Sequence, residues 1–394
     1  MHAYRFFAKV LKFFLLSSLI ILPVFFLPVT RDFYDTNKWM LSTCLSFLVL
    51  LLWAGKLLRT GKIRVSWSYQ TLGFGLMAIA AILSLTFSSF NKIEGLIAPL
   101  GPVTWITATI LLFFGPSLLT EKEKIVLRLG LIILSGLAGL AVCYQQLGLA
   151  TIFFPVGSPF RDSFFTPFGS TIGLLSYSLL CLPLGISIAY GAVKEKKDVI
   201  AALSFVTLIL ILMGAGITLW KFISLASSQL LPLPIGATLM VNSWNTLAHT
   251  LFGVGPERFF EVFTLYRPQT MNLSPVWNTA FHANASLVFH IGSTFGILGL
   301  CAFGLTLACM VKDWAGHRVT RIQVIIIIIL SLFTPPTLVF IIVWIVFILS
   351  TDTHHGISEE VASLPRYVIA LLVSILAVAS LYGIIRWYRG EYLL

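Results

Sequence analysis

The feature that most constrains this chain is a succession of apolar runs, each about 20 residues long and almost free of charge. Such a run is long enough to cross the hydrocarbon core of a bilayer as an α-helix. In lipid only a helix or a closed barrel satisfies its own backbone hydrogen bonds. The runs fall at roughly 10–30, 39–57, 69–89, 102–120, 126–147, 169–192, 199–219 and 286–310, followed by Ile322 to Ser350 and about 367–386. Charged residues make up only 10% of the 394, where a soluble domain carries roughly a quarter. The first run, Phe13 to Pro28, follows Arg5, Lys9 and Lys12 in the manner of a signal peptide. No small-residue cleavage site comes after it, so it reads as a retained span. The expectation is an all-α, polytopic transmembrane protein of about 10–11 spans, forming one integral-membrane domain over 1–394. No internal repeat is visible, which gives an inverted-repeat transporter no support.

The formal net charge of +11 does not point to nucleic acid, because the basic residues are scattered over short loops and form no single patch. The positive-inside rule accounts for them better. With the N-terminus in the cytoplasm, the inner segments hold Lys56, Arg59, Lys62 and Arg64, then Lys122, Lys124 and Arg128, then Lys194, Lys196 and Lys197, then Lys312, Arg318 and Arg321. The outer loops hold the sparser Arg31, Lys38, Lys92, Arg161, Lys221, Arg258 and Arg267. This predicts a multi-pass protein of the cytoplasmic (inner) membrane with its one large loop facing the periplasm or the exterior. The five cysteines, Cys44, Cys143, Cys181, Cys301 and Cys309, all lie in apolar spans, so neither a disulfide framework nor a zinc site is expected.

Ile322 to Ser350 would be about 43 Å long as one helix, too long without strong tilt. Thr334-Pro335-Pro336 interrupts it, and two short helices in a hairpin are expected. Arg386 and Arg389 argue for an inner C-terminus, which a kinked single helix would give; the acidic Asp352, Glu359 and Glu360 argue for an outer loop.

Residues 220–285 form by far the longest connection, and long loops without their own purpose are uncommon. This one is rich in Trp, Phe, Leu and Pro, so it should be ordered against the membrane surface. Met240, Trp244, Leu247 and Leu251 recur at helical spacing, which predicts one interfacial helix with His249 on its polar face. Gly253 and Gly255 release the backbone; Pro256 and Glu257 then suit the first turn of a second helix. Phe259, Phe263 and Tyr266 should share one face of it, and Arg258, Glu261 and Leu265 another. Pro268 ends that helix and holds Arg267 extended, leaving its guanidinium over the membrane entrance. Trp277 to Asn284 leads into the next span. His282 lies at its mouth, and His290 further in reads as a buried, satisfied histidine. The outward acids form no DxD pair, so no metal is expected.

In this order the segments "FGVGPERFFEVFTLYRP", "WNTAFHANASL" and "STFGILGL" resemble the O-antigen ligase and O-antigen polymerase family. That family carries a Gly-x-Gly-Pro…Phe element and an arginine in its large outer loop, then His-Asn, then Gly-x-x-Gly-Leu in the next span. "RDSFFTPFGSTIGLLSYSLLCLPL" resembles its earlier arginine element and "LSLTFSSFNKIEGL" its first outer turn. Here the His-Asn pair stands as His282-Ala283-Asn284, and Phe168-Gly169-Ser170 lacks the asparagines of the earlier element.

The resemblance implies a glycosyltransferase acting at the outer membrane face without metal, nucleotide sugar or other cofactor. Its donor is a glycan on a polyprenyl diphosphate, and its acceptor is a hydroxyl of a glycan, a lipid or a protein. It implies that Arg267 and Arg161 hold the diphosphate, because guanidinium groups match phosphate oxygens and strengthen their contacts as charge develops. His282 would be the base, with Glu257 and Glu261 in reserve. Arg258, Lys221, Gly253, Gly255, Trp277 and Asn284 would line the substrate, and the lid would cover a cavity open to lipid. Two other readings stand beside this one: a transporter or flippase of lipid-linked glycans, and a non-catalytic member of the fold. A transporter should carry polar residues at mid-membrane depth, and the spans carry almost none.

Overall fold

Short-range chemistry sets the helix ends in the computed structural model, which describes residues 2–27, 32–60, 63–65, 68–155, 158–162, 164–273, 276–314, 318–351, 359–361, 368 and 375. The chain begins with α1 (His2–Ile21) and α2 (Asp35–Thr60). Ser68 caps α3 (Tyr69–Phe87) by accepting from the Thr71 amide, and Asn91 caps the short α4 (Lys92–Ile97). Next come α5 (Pro102–Phe114), opened by a proline, and α6 (Glu121–Gln146), opened by a reciprocal capping box between Thr120 and Glu123. After α7 (Ala150–Phe153), Ser170 caps α8 (Thr171–Lys194), and α9 (Asp198–Gln229) follows.

Among the described residues seven stretches are long and apolar enough to cross a membrane: Asp35–Leu57, Tyr69–Phe87, Lys92–Ser117, Glu121–Gln146, Thr171–Lys194, Asp198–Ser224 and Leu287–Asp313. Val10–Val24, Thr320–Phe333 and Leu338–Ser350 are shorter apolar helices. Within 92–117 the helix breaks at Ala98–Gly101, so the crossing segment there is α5.

Two ends of the bundle can be told apart by contacts. At one, Lys56 Nζ donates to the Ser117 carbonyl at 2.6 Å and Lys12 pairs with Glu123 at 3.3 Å. This is the Lys56 end. At the other, the Leu287 amide donates to the Thr334 carbonyl at 3.0 Å. The helices α14 (Arg318–Phe333) and α15 (Leu338–Ser350) are separate, with the Pro335-Pro336 break between them. The chain returns to the Lys56 end, where Arg128 Nε donates to the Ser350 carbonyl at 2.5 Å. The hairpin is therefore present. All 13 residues of α15 are buried, and α2, α5, α6 and α8 surround it. A helix about 20 Å long suffices there, because protein and not lipid meets its ends.

Residues 63–65 (β1) pair antiparallel with 359–361 (β2), setting Arg64 opposite Glu360. Glu359 and Glu360 therefore sit at the Lys56 end, because backbone pairing to the basic segment holds them there. The expected span 367–386 lies outside the described residues except for 368 and 375.

The core is aromatic where α3, α5 and α15 meet. Phe74 lies 5.1 Å from Trp344 and 5.9 Å from Trp105, ring to ring, and all three are fully buried. Small residues let other helices approach closely: a Cβ on Gly139 of α6 would fall on the Leu210 carbonyl of α9. Helix α9 runs to Gln229, past its expected end at 219, so Lys221 is a helical residue and the long connection begins after it.

Candidate functional site

The connection from α9 to the next span folds as a layer of short helices. These are α10 (Leu233–Ser243), α11 (Leu247–Phe252) and α12 (Phe259–Tyr266), followed by α13 (Leu287–Trp314). The single interfacial helix expected through Met240 and Leu251 is two helices. Thr246 caps α11 by accepting from the His249 amide at 3.1 Å, and Trp244 leaves the helix to donate to the Gly292 carbonyl at 2.9 Å.

Just beyond that carbonyl α13 is broken. Gly296 has φ of +65°, which interrupts the hydrogen-bond ladder behind it. The carbonyls of Ser293 and Thr294 are taken by the amides of Val254 and Gly255, at 3.0 and 3.2 Å. Ser84 Oγ adds a bond to the Thr294 carbonyl at 2.6 Å. Gly253 and Gly255, both buried and with φ of +74° and +110°, thus form a clip that docks the layer onto the break. The Gly296 step is a backbone receptor.

The start of α12 also differs from expectation. Pro256, Glu257 and Arg258 form a turn before Phe259. Glu257 does not serve the dipole of that helix. Its Oε1 accepts from Ser89 Oγ at 2.6 Å and from the amides of Phe90 and Asn91 at 3.0 and 3.3 Å. The carboxylate ties the layer to the turn after α3, because three donors there converge on it. Arg258 pairs with Glu261 at 2.7 Å and reaches the Ser88 carbonyl. Phe259, Val262 and Phe263 form the buried face, while Tyr266 is half-buried.

Arg267 ends α12 with φ −55° and ψ 120°, the extended geometry Pro268 demands. Its Nη2 donates to Asn272 Oδ1 at 2.6 Å and to the Trp277 carbonyl, and its guanidinium lies 5.9 Å from the Phe263 ring centre. Nε is buried and has no hydrogen-bond partner among the described residues. Held this way, the guanidinium does not swing freely. Trp277 itself is exposed. His282 is exposed and stacks on Phe260 of α12 with ring centres 4.9 Å apart. No hydrogen bond among the described residues fixes its tautomer. Asn284 is wholly buried: its Nδ2 donates to the Gly236 carbonyl and to Ser293 Oγ, both at 3.1 Å. It braces α10 against Ser293 of α13. His290 is buried as expected, against Phe259.

Arg161 stands apart from this group. Its Nε donates to the Phe154 carbonyl at 2.7 Å, and its Nη2 to that of Thr151, where α7 leaves its last carbonyls open. Asp162 instead caps its own turn through the Phe164 amide. Lys221 approaches from α9, 5.5 Å from the Phe164 ring centre. Beside them lies a cavity of about 500 Å³, walled by Phe26, Phe154, Phe160, Phe165 and the α6 residues Leu137 and Leu140. Leu137 and Leu140 are half exposed on the outer flank of α6, so the cavity opens sideways.

The structure thus gathers Arg258, Arg267, Trp277 and His282 around α12, and sets Arg161 against the cavity wall at Phe154, with Lys221 near Phe164. The partners of Arg161 all lie in 151–154, and those of Arg267 in 263–277. The sequence reading passed over one feature. His249 Nδ1 is 2.7 Å from Asn245 Oδ1, and Asn245 Nδ2 donates to the Tyr266 hydroxyl at 2.6 Å. Burial lowers the His249 pKa below the ordinary histidine value, and the positive Arg258 lowers it further. Among the described residues no group of three or more His, Cys, Asp or Glu is placed to hold a metal ion. No family model matches this chain, and no curated protein matches it.

Proposed function

We propose that this protein is a membrane glycosyltransferase that moves a glycan from a polyprenyl diphosphate to an acceptor hydroxyl, in the manner of the O-antigen ligases and polymerases. One observation carries the reading: an apolar cavity that opens beside exposed leucines, with the Arg161 guanidinium bonded to the carbonyl of Phe154 in its wall. An isoprenoid chain with an anionic head matches that combination in both polarity and direction of entry. The second group of cations, Arg258 and Arg267, belongs to the layer above the same end of the bundle.

In the reaction the acceptor oxygen bonds to the anomeric carbon, and the bond from that carbon to the diphosphate oxygen breaks. The electron pair leaves on the diphosphate, where fixed guanidinium groups stabilise it in a water-poor site. The hydroxyl proton passes to an imidazole of the layer; His282 is the one its place in the sequence marks. The products are the glycosylated acceptor and the polyprenyl diphosphate.

The test is transfer by the purified protein in proteoliposomes loaded with a polyprenyl-diphosphate glycan. Arg267→Ala and Arg161→Ala should each lower the rate by about a hundredfold or more while the protein stays folded. Arg267→Lys should recover little, because a point charge does not reproduce the planar fork. Unchanged turnover in both alanine variants contradicts the reading.

A further inference from the structure

We infer that His249 is the general base that takes the proton from the acceptor hydroxyl. The inference rests on the transfer reading above and assigns the proton to a different imidazole. Three observations meet at this residue. First, the Asn245 amide turns its nitrogen to the Tyr266 hydroxyl, so its oxygen faces His249. An oxygen there accepts, so Nδ1 carries the hydrogen and Nε2 keeps its lone pair. A base oriented by a third group is what proton abstraction needs. Second, the bridge joins α11 to the end of α12, and Thr246 fixes the helix that carries the ring. The imidazole is held from two elements, whereas among the described residues the ring of His282 has only its stacking partner Phe260.

Third, the charges around His249 favour the neutral, proton-accepting form. Arg258 faces it from the start of α12, itself paired with Glu261, and Tyr266 lies beyond Asn245. Among the described residues the other helices packed closely on α11 are α3 and α13. The first contains no charged residue, and the second brings only His290 near this end. His249 is half-buried, so Nε2 remains within reach of a bound hydroxyl. The proton moves from the acceptor oxygen to Nε2 as that oxygen attacks, which leaves an imidazolium to be relieved by water once the product departs.

The experiment is the rate of transfer against pH in proteoliposomes carrying a polyprenyl-diphosphate glycan donor and its acceptor. In the native protein the acid limb should lie below the ordinary histidine pKa of about 6.5. His249→Gln should lower the rate by at least about a hundredfold and remove that limb. Asn245→Asp should move the limb to higher pH, because a carboxylate stabilises the imidazolium; a packing role would not shift it. Where His249→Gln fails to fold, the Asn245→Asp profile decides alone. Native-like rate and pH profile in both variants overturn the base assignment and leave the transfer reading standing. Absence of transfer by the native protein overturns the transfer reading and this assignment with it.

Discussion

Gly253 shows what a single residue does here. Its φ of +74° suits glycine, and a Cβ on it would collide with the carbonyl group of Thr294. Gly253→Ala is expected to destabilise the protein by more than about 1 kcal/mol, read as a lower midpoint of thermal unfolding in detergent. An unchanged midpoint would show that the clip is dispensable. That two glycines loosen the backbone was legible from Gly253-Val254-Gly255. What they loosen it for was not, since the receiving carbonyls belong to Ser293 and Thr294, some 40 residues on. Arg267 was half legible. The pre-proline geometry follows from Pro268 alone, while the grip of Asn272 and Trp277 on the guanidinium depends on how the following segment folds back. From the sequence His249 is legible only as part of the polar face of an interfacial helix, with Asn242, Ser243 and Asn245. Its significance comes from Tyr266 and Arg258, which only folding brings close.

At the scale of elements, the apolar helices were the easiest to read, because lipid requires length and absence of charge. Most observed boundaries lie within a few residues of the apolar runs. The exceptions have physical causes: α9 continues past 219 since nothing in its sequence stops it before Leu231-Pro232, and α15 is short because protein surrounds it. The layer of α10, α11 and α12 was read as helical, but its breaks were misplaced where side chains leave the helix to bind other elements, as Trp244 and Glu257 do. The layer hangs on a few such ties. Glu257→Ala removes an acceptor from three donors after α3, a loss of roughly 1–3 kcal/mol in local docking. Protease added to the side bearing the layer should then cleave within 244–258 faster than in the native protein. An equal cleavage rate would assign the docking to the Gly253–Gly255 clip alone.

For the whole molecule, the hairpin of α14 and α15 returns the chain to the Lys56 end, and β1 with β2 closes that end. Arg64→Cys and Glu360→Cys should therefore label from one side of the membrane with an impermeant thiol reagent, and Trp277→Cys from the other. Labelling of positions 64 and 360 from opposite sides would refute this threading. The central claim is that the sideways-opening cavity whose wall residue Phe154 is bonded by Arg161 holds the chain of one lipid diphosphate. Native mass spectrometry of the detergent-released protein with added polyprenyl diphosphate tests it most directly. One lipid should bind to the native protein, and Ala141→Trp, which fills the cavity from α6, should lose it along with Arg161→Ala. Equal retention of the lipid by all three proteins would contradict the account.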